Sequence, residues 1–411
     1  YLGSVIALLA RIAPFNRRKV TMMKMARSRI RLCLEQLEDR VLPSAAPDIQ
    51  MTFATTTDSR TISVNYNITG ASLAGQNVSF NVYRSSAYDS LNGAQLLGTA
   101  TISASDSADL GVGSHQGVKL SLTEPNGQPV TALTPNTALP FIVVVANSDG
   151  STASFETHVL GVISHGLELD PTLWWLNQVP AWELQMAAAL QQSDGYEAVL
   201  PFNWIRLSFL PFPLAIQLAG SELYQQVVAE ADQLASQHPG DVVDINFIGH
   251  SRGTVVISEV LQDLVGTNDP ALRGGYMQMT LLDPHPANLS FTKFSWDPSI
   301  PAANDFAALV VWFELLTRDP QVVVPSNVMQ TQLFDEQTPA GQLGFHYPSE
   351  ILLNFWGETA SAIPDQSAQP VEEQNLTNVT AAGIGLIGHS EVHDWYLANV
   401  VDANETFTYF G

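Results

Sequence analysis

The residues most able to do chemistry are Gly249-His250-Ser251-Arg252-Gly253, which follow an apolar run, Val242–Ile248, and open a helical one, Gly253–Val265. A serine with glycine two places before and two places after, set between a strand and a helix, is the G-x-S-x-G pattern of a nucleophile on a tight turn. Such a turn leaves no room for side chains at the flanking positions. It lifts the hydroxyl clear of the sheet, and the helix N-terminus behind it favours negative charge. The spacing therefore predicts Ser251 as the nucleophile of an acyl transfer.

A serine nucleophile needs an oxyanion site, a base and an acid. Upstream, Val162-Ile163-Ser164-His165-Gly166-Leu167 reads as a strand ending in His-Gly. The loop after such a strand supplies one amide and the residue after the nucleophile another, which assigns the oxyanion hole to Leu167, with Glu168 beside it, and to Arg252. His165 reads either as a substrate contact or as a loop histidine. Downstream, Met279–Pro286 (MTLLDPHP) delivers Asp283 at the C-terminal end of an apolar strand, where catalytic residues of parallel sheets gather. Gly388–Tyr396 (GHSEVHDWY) offers His389 in a loop and His393 one helical turn later. His389 and His393 are both candidate bases for Ser251, and Asp283 is a candidate acid. Asp335, at the end of the next strand-like run, is the alternative acid.

With these segments in this order, residues 161–411 resemble the α/β-hydrolase superfamily, in particular its bacterial lipase- and esterase-like members with GHSxG, LDP and a late HSxVxxWY segment. The resemblance implies an α/β-hydrolase fold, an acyl-enzyme on Ser251, and carboxylic esters as substrates; it also makes Ser251, Asp283 and His389 the first-choice triad, with His393 and Asp335 as the alternatives. A peptidase or thioesterase on the same fold is an alternative. Another is a non-catalytic surface protein with a relic hydrolase domain.

The elements that must position these residues are legible in the period of the sequence. From residue 47 to 160 the text alternates apolar and polar residues every two positions, as in Thr61–Asn67, Asn77–Tyr83, Val118–Leu122 and Phe141–Ala146. Turn pairs at Thr69-Gly70, Asn92-Gly93, Asn126-Gly127 and Asp149-Gly150 separate the strands, so a small antiparallel β-sandwich of immunoglobulin or fibronectin type III kind is predicted. From 161 to 411 strands, among them Val322–Leu333, alternate with helices, among them Ala181–Gln192, Pro213–Gln237, Asn304–Thr317 and Glu391–Val401, which implies a mainly parallel sheet flanked by helices. Aromatic-rich insertions at about 287–320 and 341–357 read as a cap. Their aromatics, with Trp174 and Trp175 as substrate contacts, either line an acyl pocket or pack the cap against the body.

Charge narrows the function further. Residues 1–46 hold nine of the 17 basic residues and three of the 40 acidic ones, which leaves the remainder with eight against 37, a net of −29. A body that acidic repels phosphate backbones and excludes nucleic acid as a partner; a small or medium neutral acyl ester suits it. Arg252 is one of the eight cations, so its charge as well as its amide stands beside the nucleophile. No H-E-x-x-H or EF-hand loop occurs, the single cysteine is Cys33, and neither a metal nor another cofactor is predicted. The segment 1–46 is read as an export leader starting near Met25, probed by a specific resemblance. Leu34-Glu35-Gln36-Leu37-Glu38-Asp39-Arg40 with Pro43-Ser44 resembles the LEDR-type signature of planctomycete exported proteins, implying processing near Ser44–Ala46. No transmembrane anchor is predicted, and the sandwich is read as a spacer or a module for cell-surface or glycan contact.

Overall fold

The computed structural model describes residues 46–167, 171–208, 210, 213–284, 319–335, 371–376, 380–381, 385–386 and 391–408. Residues 1–45 of the leader, Glu168, the helix expected at Asn304–Thr317, nearly all of the cap insertions and His389 lie outside the described residues.

Seven strands come first: β1 (Asp48–Thr56), β2 (Thr61–Thr69), β3 (Val78–Ser85), β4 (Gln95–Ile102), β5 (Gly113–Ser121), β6 (Phe141–Ala146) and β7 (Thr152–Ser164). β1-β2-β5 pair antiparallel as one sheet, and β4-β3-β6-β7 as the other. Alternation gives each strand one apolar face. Ile62, Val64 and Tyr66 from the first sheet meet Phe80, Val82, Ile142 and Phe155 from the second in a common core. The glycines of the four expected turns, Gly70, Gly93, Gly127 and Gly150, all have positive φ.

β7 does not end where the sandwich ends. Residues 152–156 pair antiparallel with β6, and Leu160–Ser164 pair parallel with β8 (Ala198–Phe202) on the same edge. The other edge, Thr157–Ser164, pairs parallel with β9 (Val242–His250). Beyond β9 follow β10 (Met277–Leu282), β11 (Gln330–Asp335) and β12 (Val371–Asn375), all parallel. Every residue of β9 and β10 is buried, as expected for strands covered on both faces.

Helices supply the covers: α1 (Pro171–Leu176), α2 (Ala181–Gln192), α3 (Ile205–Ser208), α4 (Pro213–Leu234), α5 (Gly253–Val265), α6 (Pro270–Gly274) and α7 (Val392–Tyr396). α4 starts on a proline, whose fixed φ suits a first turn, and buries Ile216, Ala219, Leu223 and Val227 at helical spacing. With Val256 and Val260 of α5 these residues cover Ile245 and Phe247. A second core joins Met186 and Leu190 of α2, and Val392 and Tyr396 of α7, to Ile163, Ile248 and Leu282. The architecture is α/β, with an antiparallel sandwich in front. No described helix is long and apolar enough to cross a membrane.

Three elements differ from their expected form. The strand expected at Val322–Leu333 begins only at Gln330, because Val323 pairs instead with the Ser258 hydroxyl through both its N–H and its carbonyl, at 2.8 and 3.0 Å, and Pro325 follows. β12 (VEEQN) has no apolar run and gave no sequence signal; it is the last strand of its sheet among the described residues. After α7 the chain continues as a π-helical turn, Leu397–Val401.

Sandwich and parallel sheet share more than β7. Val242 of β9 lies in the sandwich core. Thr55 Oγ1 donates to the Gly240 carbonyl at 2.8 Å, and Ser59 N to the Gly274 carbonyl at 3.0 Å. A Cβ on Gly275 would stand 1.8 Å from the Val243 carbonyl oxygen, so only glycine fits there. On β7 the His158 imidazole contacts Glu197 and Asp241. Burial works against its charge, but those carboxylates outweigh it and hold the pKa up to about 10. With a strand and a core in common, the two parts are expected to melt together. Calorimetry should show one transition with matching calorimetric and van't Hoff enthalpies; two resolved transitions would refute the shared core.

Candidate active site

Ser251 sits between the end of β9 and the start of α5 with φ at +54°, a conformation rare outside glycine. Its amide donates to the Leu282 carbonyl of β10 at 2.9 Å. Its own carbonyl accepts from Thr254 N at 3.1 Å and from Thr254 Oγ1 at 2.6 Å. Neighbouring glycines make room for the turn. A Cβ at Gly249 would lie 2.8 Å from Thr254 Cα, and one at Gly253 2.2 Å from the Ser164 carbonyl oxygen. Across the gap, a Cβ at Gly166 would stand 2.4 Å from Ser251 Cβ and 2.9 Å from its Oγ. The loop that leaves β7 therefore rests directly against the serine, with Leu167 next in sequence.

The sheet register aligns the acids. His250 of β9 pairs with Leu282 of β10, and Leu282 with Phe334 of β11. Ser251, Asp283 and Asp335 are the next residue on each strand, so they form a row along the C-terminal edge, with neighbouring strands about 4.8 Å apart. Asp283 is fully buried, has φ at +45°, and donates its amide to the Phe334 carbonyl at 2.7 Å. Asp335 is buried too, its carbonyl accepting from Leu376 N at 2.7 Å.

Of the two candidate bases, His389 lies outside the described residues. His393, on α7, is buried; its ring stacks on Trp182 of α2 at 4.3 Å between centroids and stands edge-on to His250 at 5.0 Å. Its Nδ1 lies 2.9 Å from Asp394 Oδ1. The alternative base thus packs against the residue that precedes Ser251. Trp182, which also meets His250 edge-on, had no sequence signal beyond its place on a helix.

Arg252 changes meaning in three dimensions. Its Nε and Nη2 donate to the two carboxylate oxygens of Asp319 at 2.6 and 2.7 Å, and its Nη1 to the Ser208 carbonyl at 2.6 Å. The guanidinium also stands 5.7 Å from the Trp204 ring centre. Expected as a free positive charge beside the oxyanion, the side chain is instead ion-paired, because a buried cation is tolerated only with a hydrogen-bonded counter-ion. The backbone amide at the start of α5 is untouched by that correction.

His165 is fully enclosed. Burial pulls its pKa down to about 4, so the ring is neutral near neutral pH, and Nδ1 donates to the Gly166 carbonyl at 2.8 Å. The ring stacks on Trp204, whose Nε1 donates to the His165 carbonyl at 2.9 Å. Expected as a substrate contact or a loop histidine, it lies buried under the loop against Trp204. Trp174 and Trp175 are exposed on α1 and meet each other edge-on at 5.1 Å.

No family model matches the chain, and no curated protein matches it. Among solved structures, the NocB thioesterase domain from the nocardicin cluster is 13% identical with a TM-score of 0.29, over 60% of this chain and 90% of that one. Its covalent complex with a fluorophosphonate nocardicin G analog is 15% identical, also at 0.29, over 60% and 92%. Chitinase ChiW from Paenibacillus sp. str. FPU-7 is 10% identical at a TM-score of 0.16, over 71% of this chain and 27% of that one. Likenesses this distant carry nothing about the site.

The Arg252–Asp319 pair lies under the elbow and yields a stability test. Asp319→Ala takes the bidentate carboxylate from a buried guanidinium and should cost about 3–5 kcal/mol in urea unfolding. A loss below about 1 kcal/mol would show that the pair does not hold the turn.

Proposed function

We propose that this chain is a serine hydrolase of the α/β-hydrolase fold that cleaves carboxylic esters through an acyl-enzyme on Ser251. One observation carries the reading: a serine held at positive φ on a strand–helix turn, in line with Asp283 along the C-terminal edge of a parallel sheet. Such backbone strain costs about 1–3 kcal/mol and persists where the surroundings over-determine it. Here three sets of close contacts do so, from β10, from Thr254 and from the Gly166 loop.

In this reading His389 takes the Ser251 proton as Oγ bonds to the ester carbonyl carbon. The carbonyl electron pair moves onto oxygen, where the amides of Leu167 and Arg252 donate hydrogen bonds to it. Collapse breaks the bond to the alkoxy group, which leaves with the proton from the imidazolium. Water then repeats the sequence and frees the acid. Asp283 accepts a hydrogen bond from the imidazole and stabilises its charged form. The stacking of His393 against Trp182 and His250 supports it as the second candidate for the base. The basic leader supports an exported location, and the sandwich is read as a spacer or surface-binding module in front of the catalytic part.

A fluorophosphonate probe should label the full chain on the peptide containing Ser251. Ser251→Ala should lose the label and at least about 10³-fold in hydrolysis of a chromogenic short-chain ester; retained activity would sink the assignment. His389→Ala should match that loss while His393→Ala loses less, and the reverse order would transfer the base to His393. Gly166→Ala, which pushes a methyl group against Ser251, should slow turnover about 100-fold with an unchanged far-ultraviolet dichroism spectrum. Unaltered turnover would separate that loop from the reaction.

A further inference from the structure

A second group of chemistry-bearing side chains stands at the other end of the parallel sheet. His158 and Asp241 are buried and Glu156 is half-buried, and one donor atom from each lies within 4.8 Å of the others. Glu156 and His158 belong to β7, whereas Asp241 immediately precedes β9. His158 is the register partner of Val243 at the beginning of β9, while Ser251 follows the last residue of that strand. At about 3.3 Å per residue, roughly 25–30 Å separates the group from the nucleophile.

The contacts around it are those of an ordered ligand set. His158 Nδ1 lies 2.9 Å from Glu197 Oε2 and donates to it, which leaves Nε2 turned toward Asp241 as the nitrogen that a cation would take in exchange for a proton. Nε2 stands 3.4 Å from Asp241 Oδ2, and His238 Nδ1 stands 3.4 Å from the same oxygen. Charge-assisted bonds between nitrogen and carboxylate usually measure about 2.7–2.9 Å. Two ligands each about 2.0–2.1 Å from a tetrahedral zinc ion stand about 3.3–3.4 Å apart. Asp241 is itself oriented by two amides, Glu156 N at 2.7 Å from Oδ1 and His238 N at 3.0 Å from Oδ2. Charge points the same way. Three carboxylates, those of Glu156, Glu197 and Asp241, gather around His158, and among the described residues no lysine or arginine forms an ion pair with them.

We propose that Glu156, His158 and Asp241 bind a divalent transition-metal cation of the zinc class, with Glu197 orienting His158 and either His238 or water completing the coordination. The cation ties the middle of β7 to the start of β9, where sandwich and parallel sheet join. Its distance from Ser251 gives it a structural role, outside the reacting atoms. A proton shared between His158 and Asp241 answers the same negative surroundings, and the two occupants exclude each other.

The full chain, stripped with a chelator and dialysed, decides between them when titrated with Zn²⁺ by calorimetry and with Co²⁺ by visible absorption. The expected result is saturable uptake of a single Zn²⁺ per chain, a rise of several degrees in the melting temperature, and the strong visible bands of four-coordinate Co²⁺. His158→Gln should abolish the uptake. Glu156→Gln, at the most exposed ligand, should weaken it at least about tenfold and serves where His158→Gln fails to fold. Glu197→Gln should keep the stoichiometry and weaken binding about 10–100-fold. Absence of saturable uptake, a Co²⁺ spectrum identical to that of the hydrated ion, or unchanged affinity in Glu156→Gln would each overturn the site in favour of a protonated His158 held by carboxylates.

Discussion

Strand β7 is the constraint on which the other parts depend. Its first residues close the sandwich against β6, its middle faces β9, and its last residues hold β8 while β9 continues on the other edge. Where it stops, the His165-Gly166 loop drops onto Ser251 at a distance that only glycine allows. One continuous strand therefore sets the pairing of two sheets and the ceiling of the candidate site. A slip of one residue would turn every buried side chain of β7 to the wrong face and withdraw the loop from the serine.

Charge is used sparingly and inside. Among the described residues beyond the leader, two cations, Arg84 and Arg252, are buried. Arg84 donates to the carbonyls of Thr134 and Leu139, and burial lowers its pKa while Asp244 partly offsets that. Arg252 grips Asp319 and the Ser208 carbonyl beneath the elbow. Both guanidiniums serve to fasten loops to the sheet, a use for which a planar set of five donors is well suited. The acidity of the remaining surface is thus a separate matter from the charge beside Ser251, where Arg252 is already matched by Asp319.

Local pattern was most legible where burial is most complete. The apolar run of β9, the helices Ala181–Gln192 and Gly253–Val265, and the glycine-flanked serine between strand and helix lie where period and turn chemistry put them. Legibility failed where pairing replaces composition. β12 is a strand because β11 offers it a ladder, not because VEEQN is apolar. The first residues of β7 and the late start of β11 depended likewise on partners, β6 in one case and the Ser258 hydroxyl in the other.

The sequence by itself determined the elbow, since a residue held between two obligatory glycines is a local steric statement about a few bonds. It also determined the change from two-residue to helical period near residue 161 and the segregation of basic residues into the first 46 positions. Tertiary structure alone decided what those residues meet. It matched Arg252 with Asp319, 67 positions away, and enclosed His165 against Trp204. It also brought His158 beside Asp241 across 83 positions. Such meetings follow from strand register and helix packing, which sum over the whole chain, so no window of neighbouring residues contains them.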